Sequence, residues 1–391
     1  MDNCSAFSEF CSEVGRKAVL ALCLALCMLR LGLSATAQQD KIIIIDVLAA
    51  GTGANQGTLP YGINPAGAIT GQYWDAYNVS HGFLRAPDGT ITPIDVTGAA
   101  GTSAESINPA GAITGEFFDA SGVAHGYLRA PDGSITPFDA PGAGSLADSF
   151  QGTFPSSINP TGWISGFIVD DNGVYHGFLR APDGSISGFN ALDAGTSPGE
   201  GTWPAGISGI NPAGVIAGSY QDTYGVYHGL VRAPNGFILP IVVWAAGTGS
   251  GQGTQTSSIN PAGAITGQFV DPRGVIHGFL RTPDGFIIRF DYPGAGKAPG
   301  QGTMGSNINP AGEIAGEYID ADGVNHGLMR APEGKFTPFD CPAEYAGTGS
   351  GQGTVPMNNN PAGAITGYCT DANGAFHGFL WTPEVRRWFL P

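Results

Sequence analysis

Positive charge is scarce in this sequence. Lysine and arginine number 16 against 32 aspartates and glutamates in 391 residues, which gives a formal net charge of −16 at pH 7. Nucleic acids and anionic membrane surfaces are held by clustered basic side chains, so this balance argues against both as partners. Charged residues of either sign make up only 12% of the chain, whereas globular domains carry about 25%. We therefore predict neither nucleic-acid binding nor attachment to an anionic membrane.

Long apolar runs are missing after residue 40, so no membrane span is predicted there. Before that point, a basic pair precedes an apolar run at residues 18–29, and a small-residue Ala-x-Ala site follows at 35–37. These three parts are typical of a secretory signal peptide, which we predict over residues 1–37. The mature chain, residues 38–391, is then predicted to be secreted to the extracellular space or the periplasm.

Cysteine is concentrated in the segment that we predict to be removed. Four of the six cysteines precede residue 38. A retained interfacial anchor is the alternative to cleavage, and the LALC string that ends at Cys27 leaves a lipoprotein site open as another. Cys341 and Cys369 remain in the mature chain. An exported protein can bridge such a pair, but their spacing does not show that the side chains meet, and two buried free thiols are the simpler interpretation.

Glycine and proline, in contrast, are abundant, with 63 and 29 residues, and they punctuate a repeat. The string Ile-Asn-Pro-Ala-Gly, or a near copy, occurs seven times, and an aspartate and a histidine follow each asparagine 11 and 17 residues later. The repeats are centred on Asn64, Asn108, Asn159, Asn211, Asn260, Asn309 and Asn360. The aspartates are Asp75, Asp119, Asp170, Asp222, Asp271, Asp320 and Asp371, and the histidines are His81, His125, His176, His228, His277, His326 and His377. This constant spacing predicts seven copies of one structural module.

Each module contains four short β-prone runs separated by turn signals. Asn-Pro-Ala-Gly and Pro-Asp-Gly place proline and glycine where tight hairpins need them, and helical periodicity is absent after the N-terminal segment. Four antiparallel strands per unit, repeated seven times, predict an all-β fold, a seven-bladed β-propeller over residues 38–391. The KIIIID run at 41–46 copies the fourth-strand motif and is predicted to close the last blade beside residues 386–390. An open superhelix or β-solenoid of the same modules is the alternative.

Length variation indicates which face of the propeller is functional. In the six units that another unit follows, 31 residues separate the repeat asparagine from the end of the predicted fourth strand. The connection from that point to the asparagine of the next unit varies from 13 to 21 residues. In an antiparallel blade this connection emerges on the same face as the loop between strands two and three. We call it the variable-loop face, and we predict that it carries any binding site.

The recurrent histidines and aspartates do not predict a metal or catalytic site. A zinc site needs three or four ligands that converge on one ion, whereas a ring spreads equivalent residues around its axis. We predict a structural hydrogen bond inside each blade, with a symmetric ring of histidines around a ligand as the alternative. The loops with Asp170, Asn172, Asp320 and Asp322 resemble the start of a calcium loop but lack its bidentate glutamate. No cofactor is predicted, and weak calcium binding there is the alternative to simple turn formation.

Departures from the repeat are better candidates for a ligand site, because an asymmetric ligand needs an asymmetric surface. Trp74, Trp203 and Trp244 break the repeat and are predicted to lie toward the variable-loop face, where indole rings suit a sugar or peptide ligand. Packing between blades is the alternative. The GTGSGQG strings at 247–253 and 347–353 lack the spacing and context of a nucleotide-binding loop and are interpreted as flexible loops.

The strings HGFLRAPDG and HGYLRAPDG resemble the bacterial extracellular HAF repeats, a family named for its His-Ala-Phe motif. The resemblance covers nearly all of residues 40–391, although glycine follows each histidine here and the unit is longer. It implies an exported bacterial repeat protein of propeller type, and it implies no defined activity, substrate or catalytic residue.

Taken as a whole, the sequence predicts a secreted, non-catalytic binding module with an extracellular glycan or protein as its ligand. No nucleophile elbow or HExxH motif occurs. Glu116, Glu313 and Glu317 break the repeat with acid, so a glycosidase or polysaccharide lyase is one alternative. A purely structural extracellular component is the other.

Overall fold

The computed structural model describes residues 41–147, 149–206 and 208–383. The predicted signal peptide and residues 386–390 lie outside this part of the chain. Ile42–Thr382 form one compact unit. In the described residues all regular secondary structure is β-strand, so the all-β prediction is confirmed. No helix in the described ranges has the length and hydropathy to cross a membrane.

Every repeat contributes its strands in the same order, and the strands are numbered along the chain. The first strands, which precede the Asn-Pro motif, are β2 (Gly57–Ile63), β6 with β7 (Gly101–Thr102 and Ser106–Ile107), β11 (Gly152–Ile158), β15 (Gly201–Pro204), β19 (Gly253–Ile259), β23 (Gly302–Ile308) and β27 (Gly353–Asn359). The second strands are β3 (Ile69–Trp74), β8 (Ile113–Phe118), β12 (Ile164–Val169), β16 (Ile216–Gln221), β20 (Ile265–Val270), β24 (Ile314–Ile319) and β28 (Ile365–Thr370). The third strands, which carry the histidines, are β4 (Ser80–Arg85), β9 (Ala124–Arg129), β13 (Tyr175–Arg180), β17 (Tyr227–Arg232), β21 (Ile276–Arg281), β25 (Asn325–Arg330) and β29 (Phe376–Thr382). The fourth strands are β5 (Ile91–Ile94), β10 (Ile135–Phe138), β14 (Ile186–Phe189), β18 (Ile238–Ile241), β22 (Ile287–Phe290) and β26 (Phe336–Phe339), and β1 (Lys41–Ile45) precedes them all.

Each repeat forms an antiparallel meander. In the third repeat, β11 pairs with β12, β12 with β13 and β13 with β14. All seven repeats line one narrow cavity with the end of the first strand or with the segment that follows it, so the first strands face a common axis and the fourth strands lie outermost. The last repeat lacks a fourth strand of its own among the described residues, and β1 pairs with β29 at that position. The N-terminal strand thereby ties the start of the chain to its last repeat.

Neighbouring repeats are joined by the glycine of the Gln-Gly-Thr motif. Gly253 pairs in parallel with Tyr227 on the third strand of the preceding repeat, and its φ is 114°. A Cβ atom there would lie 2.0 Å from the Tyr227 carbonyl oxygen, so only glycine fits. Gly57 pairs with Phe376 in the same way and joins the first repeat to the last. The interpretation of the GTGSGQG strings as flexible loops is therefore wrong at their last glycine, which holds two repeats together.

The threonine of the same motif ties the outer edge of one repeat to the inner strand of the next. The buried Thr58 Oγ1 accepts a hydrogen bond from the Val47 backbone N–H at 2.9 Å, and Thr153 Oγ1 accepts one from Ala140 at 3.0 Å. Because Val47 follows β1, which pairs with β29, the first of these bonds also ties the last sheet to the first repeat. Glycine and threonine of the motif therefore form a two-point clamp between successive sheets.

The repeat asparagines form a second connection, which runs around the axis. Asn211 Oδ1 accepts hydrogen bonds from the backbone N–H groups of Ala213 and Val215, both at 3.0 Å, which fixes the turn that follows. Its Nδ2 donates to the carbonyl oxygen of Asn260 in the next repeat at 3.4 Å. The same donation runs from Asn64 to Asn108, Asn108 to Asn159, Asn159 to Asn211, Asn260 to Asn309, Asn309 to Asn360 and Asn360 to Asn64. We call this closed circle the asparagine ring. Because Asn360 donates to Asn64, the sheets close into a β-propeller, and the open superhelix and the β-solenoid are excluded.

A disulfide joins the last two repeats. Cys341 follows β26, Cys369 lies in β28, and their Cα atoms are 6.4 Å apart. Both side chains are buried among apolar neighbours that include Phe339 and Phe379. The interpretation as two free thiols is therefore wrong, because the sequence spacing of 28 residues did not show that neighbouring sheets bring the side chains together.

The asparagine ring generates a stability prediction. We expect Asn211→Ala to lower the free energy of unfolding by about 2–4 kcal/mol, because it deletes three hydrogen bonds and leaves buried backbone groups without a partner. Asn235→Ala is the matched control, since Asn235 makes one hydrogen bond in an exposed turn, and there we expect a loss of about 0.5 kcal/mol or less. Urea unfolding of the mature protein measures both. Equal small losses would show that the asparagine ring contributes little.

Candidate functional site

The inner wall of the ring carries the strongest departures from the repeat. A cavity of about 490 Å³ lies on the axis, and its lining includes Tyr61, Glu105, Met304, Glu317 and Met357. These side chains come from first and second strands of four repeats. Tyr61, Glu105 and Met357 occupy the position three residues before the repeat asparagine, where the other four repeats carry serine, so the cavity is chemically asymmetric although the backbone is repetitive.

The channel narrows toward the face that carries the Asn-Pro turns. Asn358 in β27 donates from Nδ2 to Ser208 Oγ at 3.3 Å, which is a contact between the seventh repeat and the fourth across the axis. The space beyond it, lined by the asparagine ring, is only about 160 Å³. First strands begin at the variable-loop face, so the wider part of the channel lies toward that face.

Three carboxyls and two phenols form what we call the acidic arc: Glu105, Glu116, Glu317, Tyr61 and Tyr368. Burial raises the pKa of Glu317 to about 7. Burial also raises the pKa of both Glu105 and Glu116, and the nearby Glu105 carboxylate raises that of Glu116 further. Burial and then the charges of Glu105 and Glu116 raise the pKa of Tyr61 well above its usual value. These groups therefore keep their protons to a higher pH than exposed carboxyls and phenols do, and in the protonated form they can donate hydrogen bonds as well as accept them.

Glutamines occupy the corresponding second-strand position elsewhere in the ring. Gln72 donates from Nε2 to Tyr61 Oη at 2.7 Å, and Gln268 donates to Gln255 Oε1 at 2.9 Å. The Oε2 atom of Glu317 is itself buried and has no hydrogen-bond partner in the described part of the chain. A buried carboxyl oxygen without a partner is costly, so the cavity offers a polar ligand an interaction that the protein does not provide.

The third and fourth repeats carry a run of aromatic side chains. Phe154, Phe167, Tyr175, Trp203 and Tyr227 contact one another in that order, with ring centroids 5.1, 5.4, 5.6 and 6.1 Å apart. We call these five residues the aromatic arc. Four of them are half-buried and Phe154 is buried. The aromatic arc thus belongs to the third and fourth repeats, whereas the acidic arc belongs to the first, second, sixth and seventh.

Register relates three residues of the aromatic arc to the cavity wall. Phe154 and Phe167 are cross-strand partners in β11 and β12, just as Met304 and Glu317 are in β23 and β24. Trp203 takes the Phe154 position in β15. Phe154, Phe167 and Trp203 therefore take positions equivalent to those of the cavity-lining Met304 and Glu317, whereas Tyr175 and Tyr227 lie on the third strands β13 and β17.

The three tryptophans predicted from sequence lie apart from one another. Trp203 belongs to the aromatic arc, whereas Trp74 is half-buried at the end of β3. Trp244 follows the outer strand β18 and is 93% exposed. The structure places only Trp203 among these aromatic residues, and a ligand-binding role stays a prediction for all three tryptophans.

The recurrent histidines lie on third strands, away from the inner wall. In six repeats the ring Nδ1 lies 2.6–3.1 Å from a side-chain oxygen of the residue after the fourth strand, as in the pair His81 and Asp95. In all seven, Nε2 lies 2.9–3.7 Å from the aspartate of the loop between strands two and three. His377 contacts Asp46 after β1, so the junction of the chain ends carries the same pair.

The aspartates of the loops that resemble a calcium loop accept hydrogen bonds from backbone N–H groups of the same loops. Asp170 Oδ1 accepts hydrogen bonds from Asn172 and Val174, and Asp320 accepts from Asp322 and Val324. Within the described ranges no three His, Cys, Asp or Glu side chains are grouped so as to hold a metal ion. Calcium binding at these loops stays a prediction.

Sequence reasoning missed most of the channel residues. Glu105, Tyr61, Phe154 and Phe167 were not singled out, although each differs from its counterparts in other repeats. Aligning the repeats strand by strand, and comparing one inward position at a time, would have found them. Of the acids that were singled out, Glu313 lies at the turn beside Asn309, to which its side chain is hydrogen-bonded at 2.8 Å.

The fold defines a β-propeller, and comparison with known proteins gives the fold but no family. The BP39L lectin from Burkholderia pseudomallei superimposes with a TM-score of 0.54 at 14% identity, over 89% of this chain and 99% of that chain. A puromycin hydrolase mutant superimposes with a TM-score of 0.52 at 12% identity, over 81% of this chain and 51% of that one. The chain thus spans about half the length of the hydrolase. No protein-family model matches the sequence, and no curated protein is significantly similar to it.

The raised pKa of Glu317 generates a pH prediction. A folded-state pKa of about 7, above the ordinary value of 4.5, means that the neutral carboxyl stabilises the fold below pH 4.5 and that this contribution is lost as the pH rises through 7. Glu317→Gln, which places here the residue found at Gln72 and Gln268, removes the ionisation. We expect the variant to match the parent at pH 4.5 and to exceed its free energy of unfolding at pH 8 by up to about 3 kcal/mol.

Unfolding in urea at several pH values measures this difference. Glu333→Gln is the matched control, because Glu333 is exposed in the turn before β26 and its loss removes one charge without relieving a buried one. A Glu317→Gln difference that does not change with pH would contradict the assignment.

Proposed function

We propose that this protein is an exported, seven-bladed β-propeller that binds a glycan in its central channel. One repeat supplies each blade, and β1 supplies the fourth strand of the last. The export rests on the signal-peptide pattern at residues 1–37 and is consistent with the disulfide, which needs an oxidising compartment. The likeness of its repeats to the HAF family is part of the same proposal.

The two-sided channel wall carries this proposal. A pyranose ring has apolar C–H faces and a rim of hydroxyls that both donate and accept hydrogen bonds. The aromatic arc offers ring faces for the first, and the acidic arc with Gln72 and Gln268 offers donors and acceptors for the second. A cavity of about 490 Å³ is within the range of small-ligand pockets.

The fold by itself does not select this function. One structure of similar fold is named a lectin and the other a hydrolase, and a fold hosts many functions. The argument therefore depends on the channel residues of this chain, which differ from blade to blade.

A second function, hydrolysis of a glycosidic bond, is favoured by one observation. Glu105 and Glu317 line the same cavity together with Tyr61, and the pKa of Glu317 is about 7. A carboxyl that keeps its proton near neutral pH can act as a general acid, and an ionised carboxylate nearby can act as base or nucleophile. Glu317 is then the acid, and Glu105, whose pKa burial also raises to about 7, serves as the second carboxyl when it is ionised.

A glycan array with the mature protein tests the binding function. We expect bound glycans, and we expect Trp203→Ala to weaken them tenfold or more, since an aromatic contact of this size contributes about 1–3 kcal/mol. Trp244→Ala is the matched control because that indole lies outside the channel. Glycan binding that survives Trp203→Ala unchanged would place the site elsewhere, and a blank array would exclude the glycan.

Release of reducing ends from the bound glycan tests the hydrolytic function. If the protein hydrolyses it, Glu317→Gln should reduce the rate at least a hundredfold while binding on the array persists, because the amide keeps the size and polarity of the side chain. Absence of any release by the parent protein, under conditions where it binds, would reject hydrolysis and leave binding intact.

A further inference from the structure

A cavity in the fifth repeat, separate from the channel, gathers a large part of the protein's positive charge. The six arginines at the repeated position four residues after histidine belong to the common blade. The other basic residues in the described part of the chain are Lys41, Arg273, Arg289, Lys297 and Lys335. Three of these five, Arg273, Arg289 and Lys297, line one cavity of about 560 Å³. In a chain with a net charge of −16 this concentration calls for an explanation.

Each of the three basic residues is a departure from the repeat. Arg273 lies in the loop between β20 and β21, where other repeats carry polar or tyrosine residues. Arg289 replaces the proline that stands at this position of the fourth strand in most repeats, such as Pro93. Lys297 lies in the variable connection that leads to the sixth repeat. Three independent changes of the same sign around one cavity make it unlike the corresponding places in the other repeats.

Two aspartates hold the guanidinium groups in place without using all their donors. Arg273 donates from Nε and Nη2 to Asp271 Oδ2, both at 3.1 Å. Arg289 donates from Nε to Asp291 Oδ2 at 2.8 Å, and its Nη2 lies 3.0 Å from His277 Nδ1. Each guanidinium therefore retains N–H groups beyond those contacts.

Lys297 makes the net charge around the cavity positive. Its ammonium group makes no ion pair with a described residue, whereas Asp271 and Asp291 offset the two arginines one for one. The cavity thus carries a net charge of +1 before any charge on His277. This charge matches a monovalent anion.

One side of the cavity is formed by an aromatic residue, Tyr292. Tyr292 takes a place that is alanine, valine or cysteine in the other repeats, and its ring lies 4.5 Å from that of Tyr318. Arg289 covers His277, whose side chain is 5% exposed against 19–34% for the other six histidines. A half-buried tyrosine face beside fixed guanidinium groups suits a ring that bears a planar anionic group.

We propose that this cavity binds the carboxylate of a uronic acid residue in a saccharide. Guanidinium groups pair with planar carboxylates through parallel hydrogen bonds, Lys297 supplies the unmatched positive charge, and Tyr292 packs against the sugar ring. The saccharide part rests on the glycan-binding function proposed above, and the carboxylate part rests only on this cavity. A neutral sugar would leave Lys297 without a counter-charge.

Titration of the mature protein with uronate trisaccharides tests the proposal. The probes are trimers of galacturonate, glucuronate and mannuronate, each with its methyl ester, which keeps the sugar and removes the charge. We expect at least one trimer to bind tenfold or more tightly than its ester, and this preference to weaken when salt is raised. Lys297→Ala and Arg289→Gln should each weaken binding of that trimer about tenfold.

Lys335→Ala is the matched control, because Lys335 is exposed in the turn before β26 and its loss changes the net charge by the same amount. It should leave binding unchanged. If no trimer is preferred over its ester, or if Lys335→Ala weakens binding as much as Lys297→Ala, the inference is overturned. Inorganic sulfate that competes equally well would show a general anion site and would also overturn the uronate assignment.

Trp203→Ala separates this inference from the proposed channel function. Loss of neutral glycans in this variant, with uronate binding retained, supports both sites. Uronate binding that depends on Lys297, in a protein that binds no neutral glycan, would leave the cavity standing while the channel function fails.

Discussion

The asparagine ring is the constraint on which the structure depends. Each repeat asparagine closes its own turn through Oδ1 and reaches the next repeat through Nδ2, so one side chain determines both local and ring geometry. The circle is completed when Asn360 donates to Asn64. Because all seven side chains are almost fully buried, each lost bond would leave polar groups without water to replace it. The ring therefore sets the number and spacing of sheets around the axis.

The Gln-Gly-Thr clamp is a second set of contacts between neighbouring repeats, in addition to the asparagine ring. The asparagines connect repeats at one face, and the glycine and threonine connect them at the opposite ends of the same strands. Two rows of contacts hold each sheet against its neighbour, so inward side chains can vary without loss of the fold. The acidic arc, with carboxyls that resist ionisation, and the half-buried aromatic arc are tolerated for this reason. Functional asymmetry is thus confined to positions that do not hold the ring.

The two proposed sites use this freedom in opposite ways. The channel combines protonated carboxyls with aromatic rings, and the cavity of the fifth repeat combines arginines and a lysine with a tyrosine. Both arise from single departures in otherwise constant strands and loops. Of the recurrent histidines only His277 lines either site, and each of the seven lies beside at least one aspartate. A protein built in this way can present chemically different sites on one rigid frame.

The sequence by itself determined the repeat, the strand order, the turns and the all-β class, because these follow from local periodicity and from proline and glycine at fixed offsets. It also indicated Trp203, Glu116 and Glu317 as departures. Only the tertiary structure decided which departures meet. Glu105 and Glu317 are 212 positions apart in the chain, yet they line one cavity because ring closure sets distant repeats around a common axis. The Cys341–Cys369 bridge was decided in the same way, by the packing of one sheet on the next.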